Sequence, residues 1–118
     1  MARKPRILVV DSNLHSLSRI YLSLLHKNYK VEATDNAAEI FARTERFKPM
    51  LIVLSASTSN VGEEIYSQLA KQRIWVILLQ HKPEEPPLPL RKVELLPEPV
   101  DLHALDEKIR EVLNLVEL

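Results

Sequence analysis

Cysteine is absent from this chain, which removes disulfides, thiolate metal sites and cysteine nucleophiles together. Glycine is almost absent as well. Gly62 is the only one, and both the dinucleotide-binding fingerprint and the phosphate-cradling Walker loop need several, so nucleotide enzymes of those classes are excluded. There is no excess charge of either sign, because 16 basic residues balance 16 acidic ones. That neutrality argues against a dedicated nucleic-acid binder. No apolar run approaches the roughly 20 residues of a membrane span. The apolar residues 7–10 that follow the basic start make too short a run for a signal peptide. The expected location is the cytoplasm, with no membrane partner.

What is present reads as one globular domain over 1–118. A length of 118 residues closes one hydrophobic core and is too short for two. Short runs rich in Val, Ile and Leu alternate with longer segments of helical period, the pattern of βα units feeding a parallel sheet. Strands are expected over 6–10, 30–34, 50–54, 74–79 and 93–96. The first, third and fourth carry adjacent apolar residues, as central strands covered on both faces do, whereas Val31-Glu32-Ala33 alternates like an edge strand.

The first helix is expected over 13–27, with Leu14, Leu17, Ile20, Tyr21, Leu24 and Leu25 as its apolar stripe and Asn28 in the left-handed position beyond it. Asn36 with Glu39 suggests a capping box opening a second helix that buries Ile40, Phe41 and Phe47. A third helix starts near Val61 and carries Ile65, Tyr66 and Leu69. Asp101 caps the last, in which Leu102, Leu105, Ile109, Val112, Leu113 and Val116 recur at helical spacing. Between the fourth and fifth strands stand Pro83, Pro86, Pro87 and Pro89. Prolines lack the backbone donor and clash with the preceding turn, so the fourth crossover helix is expected to be shortened or replaced by an extended, polyproline-like loop.

The segments Ile7-Leu-Val-Val-Asp11, Asn28-Tyr-Lys-Val31, Lys48-Pro-Met-Leu-Ile-Val-Leu54, Val76-Ile-Leu-Leu79 and Leu95-Leu-Pro-Glu-Pro-Val100 stand in an order and spacing that resemble the receiver domain of two-component response regulators. The resemblance covers essentially the whole chain. It implies an α/β, flavodoxin-like three-layer sandwich with a five-stranded parallel sheet of order 2-1-3-4-5, and it places Pro99 at the family's cis-proline after the fifth strand.

Family chemistry transfers a phosphoryl group from a kinase histidine to an aspartate ending the third strand. Mg²⁺ held by that aspartate and an acidic pair, together with a lysine, neutralises the charge that gathers on the phosphoryl oxygens. Carried over position by position, the acidic pair is here Asp11 and Ser12, and the acceptor position is Ser55, a poor nucleophile without a neighbouring base in sequence. The small hydroxyl residue ending the fourth strand is replaced by Gln80, and the small residue after it by His81, whose ring is expected to crowd the pocket. The lysine becomes Glu98, which reverses the charge. The aromatic of the fifth strand is Leu95, and the loop from Ser55 to Gly62 is one residue shorter than usual. The resemblance with these departures implies a pseudo-receiver: not an enzyme, with no cofactor and no metal site, working through protein partners.

The same residues admit other readings. The hydroxyl-rich stretch from Ser55 to Asn60 fits a small-ligand or phosphate-binding loop, although Glu63 and Glu64 complement the following helix dipole and repel an anion. Asp11 reads as a residual ion ligand or as a carboxylate capping the first helix, and Asp11 with Glu98 as a pair facing each other across the pocket. Asp35 is the alternative acceptor for an atypical phosphorylatable receiver. His15, His26, His81 and His103 form no metal-ligand spacing. Pro86-Pro-Leu-Pro-Leu-Arg91 matches a polyproline-ligand pattern but reads more simply as a stiff connection, and Trp75 as a core or rim aromatic. The expected interaction surface is Pro86, Leu88, Leu90, Val93 and Leu95, exposed by the missing helix. The expected partner is a second copy of the chain, as a homodimer, a histidine kinase or an output domain. Met1 suggests a native start, of either a free-standing protein or the first domain of a longer one.

Overall fold

A computed structural model describes residues 4–82, 85–87 and 89–116. Five strands form one parallel sheet in the order β2-β1-β3-β4-β5: β1 (Arg6–Val10), β2 (Lys30–Thr34), β3 (Leu51–Ser55), β4 (Trp75–Gln80) and β5 (Val93–Pro97). The helices are α1 (Leu14–Leu25), α2 (Ile40–Phe47), α3 (Glu63–Gln72) and α4 (Leu102–Val116), with a 3₁₀ turn at Ala37–Glu39.

The unbroken apolar runs of β1, β3 and β4 follow from helices on both faces. Successive side chains of a strand point to opposite sides. Ile7, Val9, Leu51, Val53, Ile77 and Leu79 therefore meet Leu17, Ile20 and Leu24 of α1 and Leu105, Ile109 and Val112 of α4. Leu8, Val10, Ile52, Leu54, Val76 and Leu78 meet Ile40 of α2 and Leu69 of α3. Each central strand thus separates two cores, and β2 and β5, paired on one side only, are partly exposed.

The elements match the sequence pattern with local differences. In α1 the buried residues are Leu17, Ile20 and Leu24 alone, while Leu14 is 62% and Leu25 43% exposed, because the expected stripe is wider than the strip the sheet covers. Asn28 is not left-handed. The helix ends in a tighter turn, Lys27 N–H donating to the Leu24 carbonyl at 3.1 Å, and Lys30 then joins the Pro5 carbonyl at 2.9 Å. Among the described residues the left-handed ones are Lys48, Asn60 and Arg73, of which Lys48 and Arg73 close α2 and α3. Only half of the expected capping box forms. Asn36 Oδ1 accepts from Ala38 N–H at 3.0 Å, but Glu39 turns to Thr34 and Arg43 instead of returning to Asn36. Helix α3 begins at Glu63 rather than Val61. Asp101 Oδ1 caps α4, accepting from His103 N–H at 2.9 Å. Trp75 packs against the α1/α4 core as a partly buried rim aromatic.

Among the described residues no helix lies between β4 and β5, in agreement with the prolines. The connection nevertheless covers the sheet. Leu90, placed on the surface by sequence reasoning, is only 5% exposed and belongs to the α2/α3 core. An apolar side chain is drawn into the space a crossover helix would have filled. Pro86 is exposed, Val93 and Leu95 are half-buried against the same core, and Leu88 lies outside the described residues.

Candidate functional site

In a parallel sheet all strands end on the same side, and at this order the chain reverses direction of winding beside β1 and β3, leaving a crevice at their carboxyl ends. Asp11 follows β1, Ser55 ends β3, Gln80 ends β4 and Glu98 follows β5. Asp11, Ser12, Asn13, Ser16, Ser57, His81, Glu98 and Pro99 line a cleft of about 490 Å³ there. Of the sequence-selected residues, Asp11, Ser12 and Glu98 line the cleft, while Ser55 and Gln80 end their strands beside it and are not among its lining residues.

Glu98 is held in place from two directions. Its N–H donates to the Gln80 carbonyl at 2.9 Å, and the peptide to Pro99 is cis. The carboxylate faces the loop after β3, where Oε1 accepts from Ser55 Oγ at 2.9 Å and from Ser57 Oγ at 3.2 Å. Ser55 is fully buried, and its oxygen also accepts from Ser57 N–H at 3.3 Å. Buried hydroxyls demand partners, and here Glu98 meets the demand.

Asp11 is 2% exposed. Its Oδ1 accepts from Asn13 N–H at 2.9 Å, and Asn13 in turn caps α1 by accepting from Ser16 N–H at 3.0 Å. Asp11 therefore shapes the turn before the helix rather than capping it. Its Oδ2 is buried without a hydrogen-bond partner, as is Gln80 Oε1. Orphaned buried oxygens are uncommon in folded proteins and concentrate at functional sites.

The loop after β3 contains contributions that the sequence showed only as a polar run. Ser57 joins Glu98, and Thr58, 4% exposed, accepts from Ser12 N–H at 3.3 Å and ties this loop to the one after β1. The density of hydroxyls between Ser55 and Thr58 was the available signal. His81 is exposed and lines the cleft. Asp35 is exposed and is not part of the cleft lining. Glu63 and Glu64 occupy the first turn of α3 as expected. Among the described residues no group of three or more His, Asp or Glu side chains is placed to hold a metal ion, and no helix is long and apolar enough to cross a membrane.

Strand order, helix placement and the cleft at the carboxyl ends of β1 and β3 define the flavodoxin-like receiver fold of response regulators. Comparison with solved structures agrees. The chain is similar to a response regulator receiver domain protein from Methanospirillum hungatei JF-1, with 24% identity, 97% of each chain covered and a TM-score of 0.83. It is also similar to the signal receiver domain of an HD domain-containing protein from Pseudomonas fluorescens Pf-5, with 22% identity, 98% of each chain covered and a TM-score of 0.82. A two-component response regulator from Clostridium difficile shows 15% identity over 94% of this chain and 97% of that one, with a TM-score of 0.80. No protein-family model matches the chain, and no curated protein matches it with significance.

Proposed function

We propose that this chain is a pseudo-receiver, a signalling module that acts by binding protein partners without being phosphorylated. The observation that carries the reading is the hydrogen bond from Ser55 to Glu98. On this reading Ser55 stands in for the family's acceptor and Glu98 for its charge-neutralising lysine. A carboxylate bonded to the acceptor group places negative charge where a phosphoryl group would arrive, and phosphoryl transfer depends on the opposite sign there. Among the described residues the cleft lining contains neither lysine nor arginine.

Magnesium does not fit these residues. The ion needs near-octahedral oxygen ligands, usually with one or two carboxylates. Asp11 offers one unengaged carboxylate oxygen, Ser12 replaces the second acid, and Glu98 is already bonded to two hydroxyls. The same charge argument weighs against a phosphate-binding role for the Ser55 loop, since two of its hydroxyls, those of Ser55 and Ser57, donate to Glu98. On this reading the chain is not an enzyme and its partners are proteins: a second copy, a histidine kinase or an output domain. The connection at Pro86 with the half-exposed Val93 and Leu95 supports a docking face near β5.

Backbone NMR titration with Mg²⁺ and then beryllofluoride, a stable mimic of an aspartyl phosphate, tests the proposal. The amides of Asp11, Ser55 and Glu98 are expected to stay in place at millimolar ligand. Saturable shifts at those amides would overturn it.

A further inference from the structure

A groove of about 630 Å³ lies between the end of α3 and the last residues of the β4–β5 connection. Leu69 and Leu90, both almost fully buried, form its apolar floor with Ile74 beside them. Among the described residues, Lys71, Arg73, Arg91 and Lys92 line it and no acidic residue does. All four cations are exposed, and among the described residues none of them is in an ion pair. Ile74 immediately precedes β4 and Lys92 immediately precedes β5. The groove is therefore at the amino ends of the strands, opposite the cleft of Asp11 and Glu98.

Its origin is the altered crossover. A right-handed connection between parallel neighbours normally lays a helix across this face of the sheet. Here the connection sends Leu90 into the core and leaves Val93 and Leu95 half-covered. An apolar floor open on one side remains where a helix is missing.

We infer that this groove docks an acidic amphipathic helix from a partner protein. The inference rests on the protein-interaction reading and specifies the partner's chemistry. Apolar anchors spaced at one helical face would settle over Ala70, Ile74 and Pro89, which line the groove and keep exposed surface, with Leu69 and Leu90 buried beneath them, the helix-in-groove mode of recognition. Asp or Glu beside that face would meet the four cations. Charge complementarity decides the sign: like charges gathered around an apolar patch repel a basic partner and steer an acidic one.

The test is NMR titration of the intact chain with a stapled helical peptide bearing Leu on one face and Glu on the others, beside a counterpart carrying Lys in place of Glu. The Glu peptide is expected to shift the amides of Ala70, Lys71, Ile74 and Arg91 saturably, with affinity falling as salt rises. Lys71→Glu combined with Arg91→Glu is expected to weaken it about tenfold or more and to improve binding of the Lys peptide. Both substitutions are at exposed positions, so an unchanged spectrum elsewhere establishes that the fold is retained. No saturable shift at millimolar peptide, equal binding of both peptides, or full affinity in the charge-reversed variant would each overturn the inference. So would silence toward the peptide with co-sedimentation on phosphatidylserine vesicles, which would assign the cations to a membrane surface. Beryllofluoride shifts at Asp11 and Ser55 with peptide binding intact would overturn phosphorylation independence alone.

Discussion

Ser55 and Glu98, at the carboxyl ends of β3 and β5, are joined by a hydrogen bond of 2.9 Å from the serine hydroxyl to the carboxylate. Strand β4 lies between the two strands in the sheet, so the bond bridges over its end. Removing the carboxylate leaves a fully buried hydroxyl short of an acceptor. Glu98→Ala is expected to destabilise the fold by about 1–2 kcal/mol, whereas Glu98→Gln, which keeps an acceptor oxygen, should cost less. Urea denaturation of the three proteins checks the order, and equal losses for both variants would refute this account of the bond.

Asp11 offers the opposite case. One of its oxygens orders the turn before α1 and the other is buried with no partner. Asp11→Asn retains the first bond and replaces a carboxylate by a neutral amide, which is less costly to leave unpaired. The variant is expected to gain about 1 kcal/mol. Asp11→Ala, which also loses the bond to Asn13, should gain less or lose stability in the same denaturant series.

Leu90 and Pro86 stand in the same connection, yet their substitution should have different consequences. Leu90 is 5% exposed within the core beneath α3, so Leu90→Ala is expected to cost about 2–4 kcal/mol. Pro86 is exposed, and Pro86→Ala should stay within about 0.5 kcal/mol. Thermal and urea unfolding of both variants measure the contrast.

Lys48 closes α2 with φ at 53°, in the left-handed region that a side chain makes unfavourable and glycine tolerates. Lys48→Gly is expected to raise stability by about 0.5–1 kcal/mol. The single natural glycine is elsewhere: Gly62 has an extended backbone and open space where a Cβ would stand. Gly62→Ala should therefore avoid a steric clash, and a destabilisation larger than that of ordinary surface substitutions would contradict this view of the turn.

The carboxyl of Glu39 is held below the ordinary glutamate range, first by its hydrogen bond from Arg43 and then by that from Thr34. Its folded-state value being lower than its unfolded one, the stability it lends is present above the ordinary glutamate range and is lost as pH falls through the folded value. Glu39 is partly exposed to solvent, so the effect is small. Glu39→Gln should be less stable than the parent at neutral pH, and the gap should close on acidification. Denaturant midpoints followed from neutral to acid pH give the answer.

Much of the fold was legible because burial on both faces writes itself into a strand as consecutive apolar residues, as in Ile7 to Val10. Helix ends were harder to read. Lys48 and Arg73 take the left-handed positions that sequence reasoning would give to glycine or asparagine, and Asn28, chosen for such a position, does not need it because α1 tightens at Leu24. The cleft residues could be selected through the resemblance, but the Ser57 contact to Glu98 depends on how one loop folds over a strand end. Leu90 was misplaced for a related reason. Four prolines announce that a helix is missing without saying which side chain fills the space it leaves.

That single anchor also sets how freely the region can vary. Of the described residues between His81 and Pro87, none is buried and only Pro87 is partly covered, while Leu90 alone joins the core. Rewriting or extending the chain at the described residues 85–87 is expected to leave the sheet and both cores untouched, since none of them is buried and loop extension carries only a slowly growing entropic cost. The tether makes this stretch a natural insertion point for an affinity tag or a fluorophore, and a place where related chains are free to diverge while keeping one architecture.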